Sequence, residues 1–332
     1  MSPAQVETRR GTIASPLRAS LVLLTIAIIL AAVAALALSV GAAETTATII
    51  REIRAPRIAV AIAVGAGLGI SGALLQGVLR NPLADPGIIG VSAAAALGSV
   101  IVVAVGAAYA SVAAGIGGVV GGILAMALVV WIARGRDGTE IVTLILAGVA
   151  ITAFAAAILS VVIASLDIAG ARTTTFWTTG SLALATWTSL WIITPFIVAA
   201  LIIGIALARR IDVMSLGDRA AHAAGVDVRA TRWWALSAAV LAVGAGVAIV
   251  GVIAFVGLVV PHAIRALLGP RHGYVILGSA LAGALLLLIA DTIARSIVSP
   301  VELPIGVVTA LIGAPIFVLL LRRTRARQGG WA

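Results

Sequence analysis

Residues 86–133 read PGIIGVSAAAALGSVIVVAVGAAYASVAAGIGGVVGGILAMALVVWIA, a run of 48 positions without a charged side chain. A helix that crosses a bilayer needs about 20 mostly apolar residues, so this run is long enough for two spans. We expect the break between them near Gly106 to Gly115. Only helices and closed barrels satisfy every backbone polar group in lipid, and the run shows no short alternating segments typical of barrel strands. It therefore predicts an all-α membrane protein.

Uncharged runs of one span's length recur along the rest of the chain. They cover residues 19–43, 58–79, 141–166, 272–290 and 303–321, and residues 173–208 hold one more span beside a segment rich in Thr and Trp. Residues 233–264 are long for one span and short for two. A turn at Gly251, with a second helix continuing to about Leu268, would make two. The total is therefore nine or ten spans.

The charge distribution decides between nine and ten. The head carries Arg9, Arg10 and Arg18, and the last residues carry four more arginines, Arg322, Arg323, Arg325 and Arg327. Cytoplasmic segments of membrane proteins are rich in basic residues, so both termini are expected in the cytoplasm and the span count must be even. We predict ten spans. The outer side then holds five of the 22 basic residues: Arg51, Arg54, Arg57, Arg172 and Arg295.

The predicted organisation is a single membrane domain with short ends. It comprises a cytoplasmic segment 1–18, a ten-span domain 19–321 with a cytoplasmic loop at about 209–232, and a cytoplasmic tail 322–332. The first apolar run, 19–43, is longer than the core of a signal peptide, so we interpret it as a retained span; cleavage as a signal peptide near Ala37-Leu38-Ser39 is the alternative.

Composition excludes several other classes of protein. Hydrophobic residues make up 62% of the 332 positions and charged residues 10%, whereas soluble domains carry about 25% charged residues. The chain has no cysteine, which excludes disulfides and thiol chemistry. Its net charge of +10 is better explained by membrane topology than by nucleic-acid binding.

Two polar segments stand out in this apolar chain. The first is Arg54-Ala55-Pro56-Arg57, before the second span, where proline stiffens the backbone and arginine suits the binding of carboxylates; side chains that snorkel to the interface are the alternative. The second is Ser215–Arg229, in which Gly217 and Gly225 bracket one or two helical turns. That segment suits docking into a groove of a cytoplasmic partner, or is an ordinary loop.

Isolated polar residues give weaker indications. Gln76 and Asn81 could line a translocation pathway, although Asn81-Pro82 is equally a turn signal. The histidines at 222, 262 and 272 are too scattered in sequence to predict a metal site. Asp291 is the acidic residue closest to the middle of a span, and Arg295, one helical turn later, could pair with it.

Taken together, several blocks of the sequence resemble the permeases of bacterial ATP-binding-cassette importers for ferric siderophores, haem and cobalamin. The blocks follow the family's order from residue 54 to residue 315: RAPR at 54–57, SGALLQ at 71–76, RNPLADPG at 80–87, GVS at 90–92, LAGVA at 146–150, FW at 176–177, GSL at 180–182, SLG at 215–217, FVGLVVPH at 255–262, ADTIAR at 290–295, ELPIGVVTA at 302–310 and GAP at 313–315.

The resemblance implies a ten-span subunit of the bacterial inner membrane without catalysis or a cofactor of its own. It further implies a second permease subunit, two ATPase subunits that bind ATP, and an extracytoplasmic binding protein. The positions that match the family's docking arginines are Arg54, Arg57 and Arg295. The family's coupling segment matches Leu216 to Val226, and the residues expected to contact the ATPase are Leu216, Gly217, Asp218, Ala220, Ala221, Gly225 and Val226.

The absence of lysine bears separately on the energy source. A phosphate-binding P-loop requires a lysine, and this chain has none, so ATP hydrolysis would need a separate protein. The substrate expected first is a ferric siderophore, then haem, then cobalamin. An ion-coupled secondary transporter is the alternative, but it needs intramembrane ionisable groups that this sequence places almost entirely at span ends or in loops. An intramembrane protease would need a catalytic pair within the spans, and none is apparent.

Overall fold

A computed structural model describes residues 15–40, 46–135, 138–139, 141–298 and 301–327. The N-terminal half of this part contains α1 (Pro16–Ser39), α2 (Ala47–Ile49), a π-helical segment (Ile50–Arg54), α3 (Ala55–Val78), α4 (Val91–Ala104), α5 (Val112–Ile132), a short hairpin of β1 (Arg134–Gly135) and β2 (Gly138–Thr139), and α6 (Ile141–Ser165). The C-terminal half contains α7 (Ile168–Thr178), α8 (Trp187–Met214), α9 (Asp218–Ala223), α10 (Val228–Val250), α11 (Val256–Leu268), α12 (His272–Ala294) and α13 (Ile305–Arg327).

The prediction of an all-α membrane protein is confirmed, apart from that hairpin of two two-residue strands. Within the described residues, seven helices are long and apolar enough to cross a membrane: α1, α2 to α3 taken together, α5, α6, α8, α10 and α12. Three further apolar helices are shorter, namely α4, α11 and the part of α13 from Ile305 to Leu319. These ten helices lie where the sequence predicts ten spans, while the number that cross the bilayer and the side of each terminus stay predictions.

The helices differ greatly in how deeply they are buried. The apolar windows of α3 and α10 are each 78% buried, whereas that of α1 is 6% buried. Helix α3 packs against α8, α10, α11 and α12, and α10 also packs against α4 and α5. The core of the bundle is therefore built around α3 and α10, and α1 lies at its edge against α12.

Small residues allow α3 to approach its neighbours closely. A Cβ atom on Gly69 would overlap the carbonyl oxygen of Ser279 on α12, and one on Gly72 would overlap that of Gly257 on α11. Glycine and serine at such crossings let helix backbones touch. The small residues at 65–72 therefore form a surface on which α3 packs closely against α11 and α12.

The connector between α3 and α4, residues 79–90, folds back into the bundle. Its Asp85 lies against Gly257, and Gly257 in turn lies against the carbonyl oxygen of Leu68 in the middle of α3. At its far end, Gly90 lies against Gly148 of α6. Helix α4 therefore starts well inside the bundle, which explains why it has only 14 residues.

The break between α10 and α11 occurs at the glycine that the sequence singles out. Helix α10 ends at Val250, and Gly251 has a φ of 74°. The segment that follows α7 supplies hydrogen-bond partners for the backbone at this break and at the start of α13. The Ser181 amide donates to the Val250 carbonyl at the end of α10, and the Ile305 amide at the start of α13 donates to the Gly180 carbonyl, each at 2.8 Å. Irregular backbone is tolerated inside a membrane protein when it is satisfied in this way.

One boundary differs from the sequence-based expectation. The polar loop was expected at about 209–232, but α8 continues through Arg209 and Arg210 to Met214, and α10 starts at Val228. Helical hydrogen bonding does not stop where the apolar run stops, because long arginine side chains can reach away from a helix end. The stretch between the two long helices is therefore residues 215–227.

Candidate functional site

Five charged residues gather at the end of the bundle where α3 starts, and we call them the Arg57 cluster: Arg54, Arg57, Asp291, Arg295 and Glu302. Arg57 is its centre. Its guanidinium binds Asp291 Oδ1 through Nε at 2.9 Å and both carboxylate oxygens of Glu302 at 2.8 and 3.0 Å. The side chain of Asp291 is 0% exposed and that of Arg57 is 10% exposed. A buried arginine in this fork geometry is held in one orientation.

The packing of α3 and α12 creates this cluster. The two helices run antiparallel, since Gly77 near the end of α3 lies against His272 at the start of α12, and Gly65 lies against Gly283. Arg57, in the first turn of α3, is thereby brought to Asp291 in the last turn of α12. The two residues are 234 positions apart in sequence.

The other two arginines bind the end of α1. Arg54 donates to the carbonyl oxygen of Leu38 at 2.7 Å. Arg295 donates to the carbonyl oxygens of Ala37, at 2.6 Å, and Val40. The last carbonyl groups of a helix lack hydrogen-bond partners within the helix. Basic side chains at this end also interact favourably with the helix dipole. The two arginines therefore fasten α1 to the rest of the bundle.

The structure brings together all three arginines predicted to dock a binding protein, and it buries them. Counted as whole residues, Arg54, Arg57 and Arg295 are 4%, 8% and 8% exposed. The suspected pairing of Arg295 with Asp291 is present as an ion pair at 3.6 Å, too long for a hydrogen bond, while Arg57 is the closer partner of Asp291. Sequence reasoning missed Glu302 as a partner, although an acidic residue in so apolar a chain is a usable signal. Docking through these arginines stays a prediction.

A second cluster, which we call the Asp218 cluster, lies at the opposite end of α3. Asp218, the first residue of α9, forms an ion pair with Arg80 at 3.1 Å and accepts hydrogen bonds from Arg232, the shorter at 3.0 Å. Arg80 follows α3, and Arg232 lies in the first turns of α10. The side chain of Asp218 is 39% exposed and that of Arg80 is 35% exposed, so this cluster is open to solvent.

Helix α9 presents a small exposed surface next to the Asp218 cluster. Leu216 is 74% exposed, whereas Ala221 is fully buried against Met214 and Val228. The helix ends at Ala223, and Gly225, two residues later, has a φ of 77°. Of the residues predicted to contact an ATPase, Ala220 and Gly225 are exposed, Gly217, Asp218 and Val226 are half-buried, and Ala221 fixes the segment to the bundle.

Both residues predicted to line a pathway are hydrogen-bonded within the chain, Gln76 to another helix and Asn81 within its own turn. Gln76 is 3% exposed; its amide nitrogen donates to the Leu258 carbonyl at 3.1 Å, and its oxygen accepts from Arg265 at 2.9 Å. Asn81 accepts from the amide of Leu83 at 2.9 Å, which is the turn that its sequence context also predicted. Gln76 thus joins α3 to α11, and a role of either residue in a pathway stays a prediction.

The histidines do not come together. The backbone amide of His272 donates to Asp212 Oδ1 at 2.8 Å, and its ring Nδ1 lies 2.6 Å from the same oxygen, so this pair joins the end of α8 to the start of α12. Among the described residues, no group of three His, Asp or Glu side chains is arranged to hold a metal ion.

A bundle of apolar helices with charged clusters at both ends and broken helices in its interior defines a multi-pass membrane protein of the transporter class. Comparison with known proteins specifies it further. The FecCD transport family matches residues 15–323, and the chain belongs to this family.

Relatives of known name and a solved structure agree with that membership. The chain is 39% identical over 286 residues to the hemin transport system permease of Yersinia pestis, covering 84% of each chain. It is 40% identical over 279 residues to the Fe(3+) dicitrate transport system permease of Escherichia coli, covering 83% of this chain and 86% of that one. The fold matches a solved inward-facing metal-chelate type ABC transporter with a TM-score of 0.82 and 32% identity, covering 92% of this chain and 99% of the other.

Proposed function

We propose that this chain is the membrane-spanning permease subunit of an ATP-binding-cassette importer for iron complexes. In this proposal the chain crosses the bacterial inner membrane ten times, with both termini in the cytoplasm. It pairs with a second permease subunit, identical or closely related. The observation that carries the proposal is the exposed α9 segment at one end of an apolar bundle, in a chain whose relatives are permeases for haemin and ferric citrate.

The α9 segment is the proposed contact for the ATPase. Leu216 is a large apolar side chain, 74% exposed, beside the exposed Ala220 and Gly225. Apolar side chains that project from a polar rim are common anchors in protein interfaces. ATP would bind only to the partner subunits, because the chain lacks the lysine that a P-loop requires. Movement of the ATPase pair would drive the permease pair between its outward and inward conformations.

Leu216 gives a direct test of the ATPase contact. Leu216→Glu should lower co-purification of the ATPase at least about tenfold, as loss of an interface anchor does. Val301→Glu is the matched control, because Val301 is also an exposed apolar residue, 62% exposed, and lies beside Glu302 of the Arg57 cluster rather than near α9. Equal binding by both variants and the unchanged chain would show that the ATPase docks elsewhere.

The Arg57 cluster is the proposed docking end for an extracytoplasmic binding protein. Arginine binds carboxylates through two parallel hydrogen bonds, and Arg54 and Arg295 hold α1 by backbone carbonyls that a carboxylate could replace. Arg54→Glu combined with Arg295→Glu should abolish stimulation of ATP hydrolysis by a loaded binding protein while the ATPase stays bound. Arg51→Glu tests the exposed rim, since the Arg51 side chain is 85% exposed. If only Arg51→Glu abolished stimulation of ATP hydrolysis, the binding protein would dock at the exposed rim and not at the Arg57 cluster.

The substrate is proposed as a ferric siderophore first, haem second and cobalamin third. The test is uptake into liposomes that contain this chain with its ATPase and binding protein, with each of the three ligands in a separate arm. Uptake that needs ATP and one of these ligands supports the proposal and names the ligand. Uptake that persists without ATP and stops when an ion gradient is dissipated would favour an ion-coupled transporter instead. The ion-coupled alternative is disfavoured because Asp291, the acidic residue closest to the middle of a span, is already paired with Arg57 and Arg295.

A further inference from the structure

Asp218 holds arginines from two different parts of the bundle. Arg232 belongs to α10, which is part of the rigid core, and Arg80 belongs to the connector 79–90. Half-exposed ion pairs of this kind contribute little to stability. Their geometry is nevertheless specific, because one carboxylate joins the first residue of α9 to two separate elements.

The backbone at Arg80 is a second, independent observation. Helix α3 ends in a Schellman motif, in which the Arg80 amide donates to the Gly77 carbonyl and the Asn81 amide donates to the Gln76 carbonyl, each at 3.2 Å. The residue at this position adopts a left-handed conformation and is usually glycine. Here it is Arg80, with a φ of 48°.

The end of α9 shows what the same motif looks like with the usual residue. There the Gly225 amide donates to the His222 carbonyl and the Val226 amide donates to the Ala221 carbonyl, and Gly225 has a φ of 77°. A side chain at such a position is strained, and strained residues that the surrounding structure maintains cluster at functional sites. The guanidinium of Arg80, and not the local backbone, is therefore the reason for an arginine there.

The connector 79–90, which includes Arg80, contacts two helices of the bundle. Asp85 accepts from the amide of Gly87 at 2.8 Å, and its other carboxylate oxygen faces Gly257 in the first turn of α11. Gly90 lies against Gly148 of α6. The apolar window of α6 is only 22% buried, so this helix has fewer packing contacts to break when it moves.

We propose that Arg80 is a positioning residue that transmits movement of the α9 segment, through the Arg80–Asp218 ion pair and the connector 79–90, to α11 and α6. This inference rests on the proposed function, because the ATPase is what would move α9. Arg232 anchors Asp218 to α10 and is not part of the transmitting path.

The decisive variant is Arg80→Gly, because glycine suits the backbone at this position and removes only the side chain. The complex of this variant with its ATPase and binding protein should assemble, and its thermal stability should equal or exceed that of the unchanged complex. The number of substrate molecules imported per ATP hydrolysed should fall about tenfold, within the range of typical coupling effects. Arg80→Lys, which keeps the charge, should recover part of that ratio, whereas Arg232→Gln should leave it nearly unchanged.

The results separate failure of this inference from failure of the proposed function. If the unchanged complex imports nothing with ATP, the proposed function is wrong. If the unchanged complex imports substrate and Arg80→Gly has the same import per ATP, only the transmitting role of Arg80 is wrong. If Arg80→Gly and Arg232→Gln lowered the import per ATP equally, the role of Asp218 would be only to hold α9 in place.

Spin labels provide a measurement that does not depend on transport. The chain has no cysteine, so single cysteines can be placed at Leu83 in the connector and at Ala223 in α9, both exposed. The distance between the two labels should stay constant when ATP binds to the unchanged complex and should change in Arg80→Gly. A distance that responds to ATP identically in both would contradict the inference.

Discussion

The Arg57 cluster and the Asp218 cluster have the same chemistry and opposite surroundings. In each, one aspartate lies between two arginines: Asp291 between Arg57 and Arg295, and Asp218 between Arg80 and Arg232. The side chain of Asp291 is 0% exposed, while that of Asp218 is 39% exposed. Since α3 has 24 residues, the two clusters are separated by roughly 36 Å along that helix.

The difference shows that burial, and not the ion pair itself, decides what such a cluster does. Removing one partner from a buried pair leaves a charge that neither water nor protein compensates, which costs several kcal/mol. Water replaces a lost partner in a half-exposed cluster, so little stability is at stake. The Arg57 cluster is therefore suited to hold α3, α12 and α1 together, and the Asp218 cluster to join elements that move.

The largest effect is expected from Asp291→Ala. It leaves Arg57 and Arg295 without their shared buried partner, so the free energy of unfolding should fall by about 3–5 kcal/mol. Chemical unfolding in detergent micelles measures it. The double variant Arg57→Met with Asp291→Leu should recover only part of the loss, because it removes the charge of Arg57 as well but leaves Arg295 without Asp291 and Glu302 without Arg57. A loss below about 1 kcal/mol in Asp291→Ala would place this cluster in the same class as surface pairs.

A packing variant should weaken one cluster and spare the other. In Gly69→Val the new side chain overlaps the Ser279 carbonyl and pushes α12, with Asp291, away from α3. We expect a loss of about 1–3 kcal/mol, as in other overpacked cores. Gly273→Val is the control. Gly273 lies on α12, as Ser279 does, but a Cβ at Gly273 meets no atom within 4 Å. If both variants were equally stable, close contact of α3 with α12 would not support the Arg57 cluster.

A smaller effect on stability is expected from Asp218→Asn. The free energy of unfolding should change by less than about 1 kcal/mol, although import per ATP should fall as in Arg80→Gly. Asp227→Asn removes the same charge nine positions later and keeps the oxygen that caps α10 by accepting from Ala230; it should change neither quantity. A large loss of stability in Asp218→Asn would mean that the Asp218 cluster is also structural.

The smallest effect is expected from salt. Between about 0.1 and 1 M ionic strength the screening length falls from about 10 to about 3 Å. The coupling energy between Arg80 and Asp218, measured by a double-mutant cycle at both concentrations, should shrink. The coupling between Arg57 and Asp291 should not, because buried pairs are screened much less. Equal salt dependence would remove the distinction between the two clusters.

Much of the fold was predictable from the sequence, because hydropathy and turn residues act locally. The uncharged runs located the apolar helices, and Gly251 marked the break between α10 and α11. The polar segment Ser215–Arg229 indicated the short helix α9. The helix boundary at Met214 was missed, since α8 continues beyond its apolar residues.

The partners of the charged residues were mostly not predictable. Asp291 with Arg295 could be inferred, because four residues form one helical turn. Two other pairs could not be inferred from the sequence, namely Arg57 with Asp291 and Arg80 with Asp218. Their residues meet only after distant helices have packed. Gln76 illustrates the same limit: its contacts with Leu258 and Arg265 depend on how α11 crosses α3.

The sequence by itself determined that this chain is a multi-pass helical membrane protein, where its apolar helices lie, and which few segments are charged. The tertiary structure alone decided that one set of arginines is buried and the other half-exposed, and that the connector 79–90 returns to the interior. The physical reason is that the transfer of a segment into lipid depends on its own side chains. The burial and pairing of a charge depend on what the fold places beside it.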